Sequence, residues 1–305
     1  MTTATTLETA RTEEQSRPSQ HRAPRSRRRI RPDLVRSRLL AWTALLVIGL
    51  FALLPLYWML VTALSPADRV FQFPPDFVPG AITFENFRAV LDNGPLFHYL
   101  KNSVIVSLTT AFLSVVISTY MGYSFSKFRY RGRKSLMNFV LASQMFPQSL
   151  LLITLYALFR QFGMLGSYTA LVLSFSTFTL PLCVWMLKGI FDTIPDALLE
   201  AAAIDGASRW RTLHSVIAPL AAPGMAAAGL FAFVRGWNDF VFALSLSNND
   251  TMTLPPGLVH TYIGETSTSW PTLMAASLVV SLPVVVAFMF LQRFLVGGLT
   301  AGSVK

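Results

Sequence analysis

Glu200 and Asp205 stand in the stretch "EAAAIDGAS", residues 200–208, between two long apolar runs. With Ala201, Ala202 and Gly206 beside them they can form a short helical peg whose acidic edge would pair with basic groups of a partner. A second polar group interrupts an apolar stretch further on. There Arg235 and Asp239 have the i, i+4 spacing of a helical ion pair, with Asn238 between them. Gln144 and Gln148 repeat the spacing beside Pro147. An ionisable group at the centre of a bilayer costs about 2.5 to 3.5 kcal/mol on insertion scales, so such groups face a cavity or one another. Two chemistries stay open for each set. Arg235 and Asp239 can neutralise each other as an internal ion pair, or Asn238 and Asp239 can line a path for a hydroxyl-rich solute. Gln144 and Gln148 can glue helices together or line the same path.

Other chemistry finds no constellation. His21, His98, His214 and His260 lack the i, i+4 spacing of a helical zinc site, and the one cysteine, Cys183, lies in an apolar run as packing. No metal site, and no nucleophile with a base, can be assembled from spacing. The stretch "GRKS" (132–135) has no upstream glycine to wrap a phosphate. The expectation is a chain that is not an enzyme and holds no cofactor of its own.

The elements that position these residues are membrane spans. Of the 305 residues 53% are hydrophobic and only 13% charged, with a mean hydropathy of +0.51, far from soluble composition. Six stretches are long enough to cross about 30 Å of hydrocarbon: Leu39 to Leu64, Asn102 to Phe125, Leu136 to Phe159, Tyr168 to Phe191, Gly224 to Leu246 and Thr272 to Leu295. The fold class is therefore an all-α integral membrane protein with six transmembrane helices. With the N-terminus inside, twenty Lys and Arg fall on cytoplasmic segments and four (Arg69, Arg88, Lys101, Arg160) outside, which places both termini in the cytosol. The net charge of +10 is no nucleic-acid signal. Ten of the 25 basic residues sit in the first 38 positions, without aromatic interleaving, as a solvated tail that can touch anionic membrane lipids.

The organisation that follows is a basic tail (1–38), a permeating domain (39–298) and a short end (299–305). An outer loop, 65–101, carries "FQFPPDFVPG" and a surface helix opened by Thr83, whose Phe84 and Phe87 share a face. That face suits the membrane surface or a partner equally. A cytoplasmic loop, 192–223, holds the acidic peg: Pro195 opens a helix of about three turns, Gly206 ends it and Ser208 caps the next. Leu199, Ala202, Ala203 and Gly206 form one small-residue face, and Pro219 and Pro223 break the chain before the fifth span. A helix lying flat on the membrane surface or covering the end of the bundle would fit the same pattern.

"EAAAIDGAS" with Pro219 downstream resembles the EAA loop of ATP-binding cassette importer permeases, with Val216 and Ala218 where isoleucine and leucine are usual. "KNSVIVSLTTAF", "YSFSKFRYRGRK", "WNDF" and the tail "QRFLVGGLTAGSVK" are similar to the second, maltose-type permease of the sugar-importing branch. The resemblance covers about residues 39 to 305. It implies the type I importer fold, with Glu200, Ala201, Ala202, Asp205, Gly206 and Pro219 coupling to the ATPase. It also implies that Gly298, Leu299, Thr300, Ala301 and Gly302 reach the ATPase dimer. The implied partners are a homologous permease, two copies of a cytoplasmic ATPase that bind ATP and Mg, and an extracellular sugar-binding protein.

Overall fold

The computed structural model describes residues 32–92, 94–264 and 268–300, and among these it is helical apart from one isolated antiparallel bridge between Ile263 and Thr268. The chain divides at Leu54 and Pro55 into two compact units. The first holds the N-terminal part of α1 (Pro32–Leu64), where Trp42, Leu45, Leu46, Ile48 and Phe51 are exposed on all sides, as a helix solvated by lipid requires.

The second unit is a bundle around α3 (Leu96–Lys127), α6 (Tyr168–Thr193) and α9 (Ala218–Trp237), which pack on one another. Small residues let them approach. A Cβ on Gly122 of α3 would stand 3.0 Å from the backbone nitrogen of Lys188 in α6, so any larger residue would push the two helices apart at that crossing. Nearby, the buried hydroxyls of Ser114 and Thr179 share a hydrogen bond of 2.7 Å between the same helices. The last turns of α1 join α2 (Glu85–Asp92), α11 (Leu254–Tyr262) and α12 (Trp270–Thr300) around a core of Ala63, Val90, Leu96, Trp237 and Leu254. The surface helix is as expected: Thr83 Oγ1 accepts the amide of Glu85 at 3.2 Å, and Phe84 and Phe87 lie 6.5 Å apart.

Among the described residues, five helical stretches are long and apolar enough to cross a membrane: Leu40–Leu64, Leu96–Lys127, Tyr168–Thr193, Arg209–Trp237 and Trp270–Phe290. The sixth, expected as one rod from Leu136 to Phe159, is broken. Its halves, Arg133–Met145 and Gln148–Gln161, meet at 96°. The first half is α4 (Arg133–Ala142) with a tight turn over Ser143–Met145, and the second is α5 (Gln148–Gln161). Pro147 causes the break, because its ring disfavours helix at the preceding residue and Phe146 accordingly takes an extended conformation (φ −72°, ψ 130°).

The fifth span departs too. It ends at Trp237 rather than Leu246, and a separate helix, α10 (Val241–Leu246), follows after Asn238 to Phe240. Asp239 makes the interruption, since its Oδ1 accepts the amides of Phe242 (3.0 Å) and Ala243 (3.1 Å) and so opens a new helix instead of continuing the old one. Pro219 and Pro223 do not break the chain as expected. Both lie inside the continuous helical stretch Arg209–Trp237, Pro219 just after a wide π turn over Leu213–Ile217 and Pro223 one turn further on.

Candidate functional site

The acidic peg is α7 (Ala197–Ile204), two turns long rather than three. Gly206 ends it at φ 75°, with its amide on the Ala203 carbonyl (3.1 Å) and the Ala207 amide on the Ala202 carbonyl (2.9 Å), the pair of bonds that closes a helix through a left-handed residue. A Cβ on Gly206 would meet nothing within 4 Å, so the backbone angle alone demands glycine. Ser208 then accepts the Arg211 amide at 3.3 Å and opens α8 (Arg209–Thr212), as its sequence position indicates.

The small-residue face does not point as one surface to a partner. Ala202 is buried and Leu199 half-buried against the core of the chain itself, whereas Ala203 and Gly206 are exposed. Together with Glu200, Ala201 and Asp205, the outward face presents Ile204, which is 87% exposed. Ile204 was invisible as a contact residue in the sequence, because the apolar spacing pointed to the alanines. Ala202 supports the peg from within.

The peg is tied to the end of α3. Lys127, its side chain only 4% exposed, donates from Nζ to the carbonyl of Ile194 (2.5 Å) and to Asp196 Oδ1 (2.7 Å). Ser126 donates to Asp192 Oδ1 at 2.7 Å, and Lys188 bonds the other oxygen of Asp192. The Asp196 carboxylate is thereby diverted from the helix amides, and the Lys127 ammonium holds it below the usual aspartate range. A depressed carboxylate contributes stability above its ordinary value, about 3.9, and loses it as pH falls through the lowered one. Expected, then, is a melting-temperature gap between the parent chain and Asp196→Asn that is full at neutral pH and closes as pH falls below that ordinary value. A gap unchanged through strong acid would separate the latch from the titration of Asp196.

Gln144 and Gln148 lie on opposite sides of the break, so they do not share a helix face as their spacing indicated. Gln144 Nε2 donates to the Phe178 carbonyl of α6 at 2.7 Å, which makes it a tie between helices. Gln148 makes no hydrogen bond among the described residues and borders two cavities. One, of about 280 Å³, has Ser143, Gln144, Phe146 and Thr177 around it. The other, of about 370 Å³, has Ser149, Arg235, Asn238, Asp239 and Phe240. Phe178 of the first and Phe242 of the second meet edge to face at 4.8 Å, so the Gln148 amide is common to both cavities and an aromatic contact stands between them.

The expected ion pair is absent: the ion pairs among the described residues are Lys127–Asp196 and Lys188–Asp192. With the helix interrupted at Asn238, Arg235 and Asp239 no longer stack one turn apart, and the Asp239 carboxylate is taken by the amides of α10. Arg235 is left facing the cavity, while Asn238 turns its amide back to the Val234 carbonyl (2.9 Å) and leaves its oxygen free.

One polar centre had no signal beyond a single amide at the start of an apolar run. Asn102 is fully buried and donates to the carbonyls of Asp250 and Met252, both at 2.9 Å, while Tyr168 donates to its oxygen at 2.7 Å. Beside it Ser103 accepts the Leu254 amide at 2.7 Å. The loop before α11 is thus hung on two consecutive residues of α3. At the far end of the chain, Gly298, Leu299 and Thr300 continue the α12 backbone as helix, and Ala301 and Gly302 lie outside the described residues.

An all-helical bundle of spans, with a short exposed helix between two of them and polar cavities beside broken spans, fits a transport permease. Residues 114–300 match the family described as the binding-protein-dependent transport system inner membrane component, and the chain belongs to that family. It is a multi-pass membrane subunit of an ABC importer and not an enzyme. It is 36% identical over 269 residues to the sulfoquinovosyl glycerol transport system permease protein SmoH of Agrobacterium fabrum, covering 88% of this chain and 93% of that one. It is also 34% identical over 275 residues to the trehalose/maltose transport system permease protein MalG of Thermococcus litoralis, covering 89% and 98%. Among solved structures, a bacterial ABC transporter that imports the acidic polysaccharide alginate aligns with a TM-score of 0.72 at 23% identity, over 86% of this chain and 97% of that one. That likeness is one of fold.

Proposed function

We propose that this chain forms half of the translocation pathway of a sugar importer. A homologous permease would supply the other half, two copies of a cytoplasmic ATPase would bind ATP and Mg, and an extracellular binding protein would deliver the sugar. Both termini, the peg and the end of α12 then face the cytosol. The observation that carries the reading is the peg itself: a rigid two-turn helix, latched by Lys127 and closed at Gly206, that leaves Glu200, Ile204 and Asp205 outward. Such a helix transmits force without bending, which a linker cannot do. The relatives named for trehalose, maltose and sulfoquinovosyl glycerol support a glycoside as cargo.

The test is purification through a tag on this chain, followed by reconstitution into vesicles. Expected are co-purification of a second permease and an ATPase, and uptake that needs ATP inside and the binding protein outside. Solute movement by this chain alone, with no nucleotide-hydrolysing partner, would overturn the reading. Within the pathway, Gln148→Ala removes an amide common to both cavities without touching a packed contact. Its expected effect is an uptake rate lower by about tenfold, the loss of one or two sugar hydrogen bonds at about 1 kcal/mol each, with complex yield unchanged. Equal uptake would remove Gln148 from the path.

A further inference from the structure

The outer loop between α1 and α2 turns its large apolar side chains outward. Phe71, Phe73, Phe77 and Val78 are 76%, 95%, 70% and 71% exposed, and Arg69 and Asp76, also exposed, border the cleft that the loop makes with Trp58, Val61 and Thr62 of α1. The two charged groups approach Gly80, where a Cβ would stand 3.2 Å from Arg69 Nη1 and 3.3 Å from Asp76 Oδ2. A loop in water would fold its phenylalanines in.

Depth explains the exposed phenylalanines. The loop closes on itself where the Thr83 amide meets the Leu64 carbonyl at 2.8 Å, and between those residues it folds back along α1. Tyr57 donates its hydroxyl to the Phe77 carbonyl at 2.6 Å, and the Trp58 ring meets the Phe77 ring edge to face at 6.0 Å. Tyr57 lies seven residues, about 10 Å, before the end of the helix, and helical side chains lean toward the N-terminus, so Phe77 sits no nearer the end than that. The apolar stretch Leu40–Leu64 is 25 residues, about 37 Å, which exceeds a 30 Å hydrocarbon core by about 7 Å. Even with all of that excess at this end, Phe77 lies at or within the hydrocarbon boundary. Aromatic side chains at that boundary are interface anchors.

We propose that residues 66–82 form a membrane-interface anchor whose Phe71, Phe73, Phe77 and Val78 are solvated by the lipid leaflet at the C-terminal end of α1. Because the anchor grips the leaflet beside α1, it fixes how far that span can slide along the membrane normal.

The test places a nitroxide at Phe73→Cys in a Cys183→Ala background, in the complex purified through this chain and reconstituted into nanodiscs of phosphatidylethanolamine and phosphatidylglycerol. Asn249→Cys, on an exposed loop, is the aqueous reference. Expected is strong collision with dissolved oxygen and loss of collision with a water-soluble nickel chelate, relative to the label at Asn249→Cys. Nickel collision equal to that reference would overturn the proposal by placing the loop in water. Exclusion of both reagents would overturn it equally, by showing that a protein subunit covers the loop. Val78→Cys gives a second label site on the same face with the same expectations, so failure of one variant to assemble leaves the other decisive.

Discussion

Replacing Ile204 by asparagine is expected to abolish ATP-driven uptake while the chain still inserts and melts as the parent does. Ile204 is the last residue of α7 and is 87% exposed, so its removal leaves no cavity in the permease. In a cleft of the ATPase the same change would bury an unpaired amide in place of a branched apolar anchor. Losses at such anchors reach about 2 kcal/mol or more, roughly 30-fold in docking affinity. Ala202→Leu offers the contrast. Ala202 is buried within the chain, and overpacking it is expected to cost about 1 to 3 kcal/mol of permease stability, visible in melting before uptake is measured. Gly206→Pro combines both failures, since it removes the amide bonded to Ala203 and forces φ from 75° to about −65°. Normal uptake by Ile204→Asn would remove the peg from the coupling path.

The second large effect is one of stability. Asn102→Leu strands the carbonyls of Asp250 and Met252 and the hydroxyl of Tyr168 around a nearly isosteric apolar side chain. Each buried group without a partner costs about 1 to 3 kcal/mol, so the total is expected to be about 3 kcal/mol or more. For a chain of this size that corresponds to a melting temperature lower by roughly 5 °C in detergent. Tyr168→Phe removes one donor and leaves the two carbonyls satisfied, so it is expected to cost about a third as much. A leucine variant that melts with the parent would show that water replaces the amide.

The spans were legible because the solvent dictates them: twenty apolar residues in a row have few other uses, and α3, α6 and α12 fall where hydropathy places them. The breaks were harder. Pro147 is compatible with a kinked rod or with two separate helices, and only packing decides between them. For Asp239 the spacing offered an i, i+4 partner in Arg235, but in the structure its carboxylate accepts the amides of Phe242 and Ala243 and opens α10 instead. The ion pair failed because it assumed the helix that Asp239 itself ends. Asn102 gave almost no warning, since its partners are backbone carbonyls about 150 positions away, and carbonyls have no letter in a sequence. At the peg the helix, its glycine stop and the Ser208 cap were readable as local chemistry. Which side faces outward was not, because alanine is at home in either setting.

The 32 residues of α3 make a stiff rod about 48 Å long. Lys127 rivets its one end to the segment that carries the peg, and Asn102 with Ser103 rivets the other to the loop before α11. A strut fastened at both ends cannot absorb a push by fraying. Were the peg displaced, the shift would reappear at the far end of α3 as a movement of that loop, without local melting in between, so a single helix would gear the two ends of the bundle together.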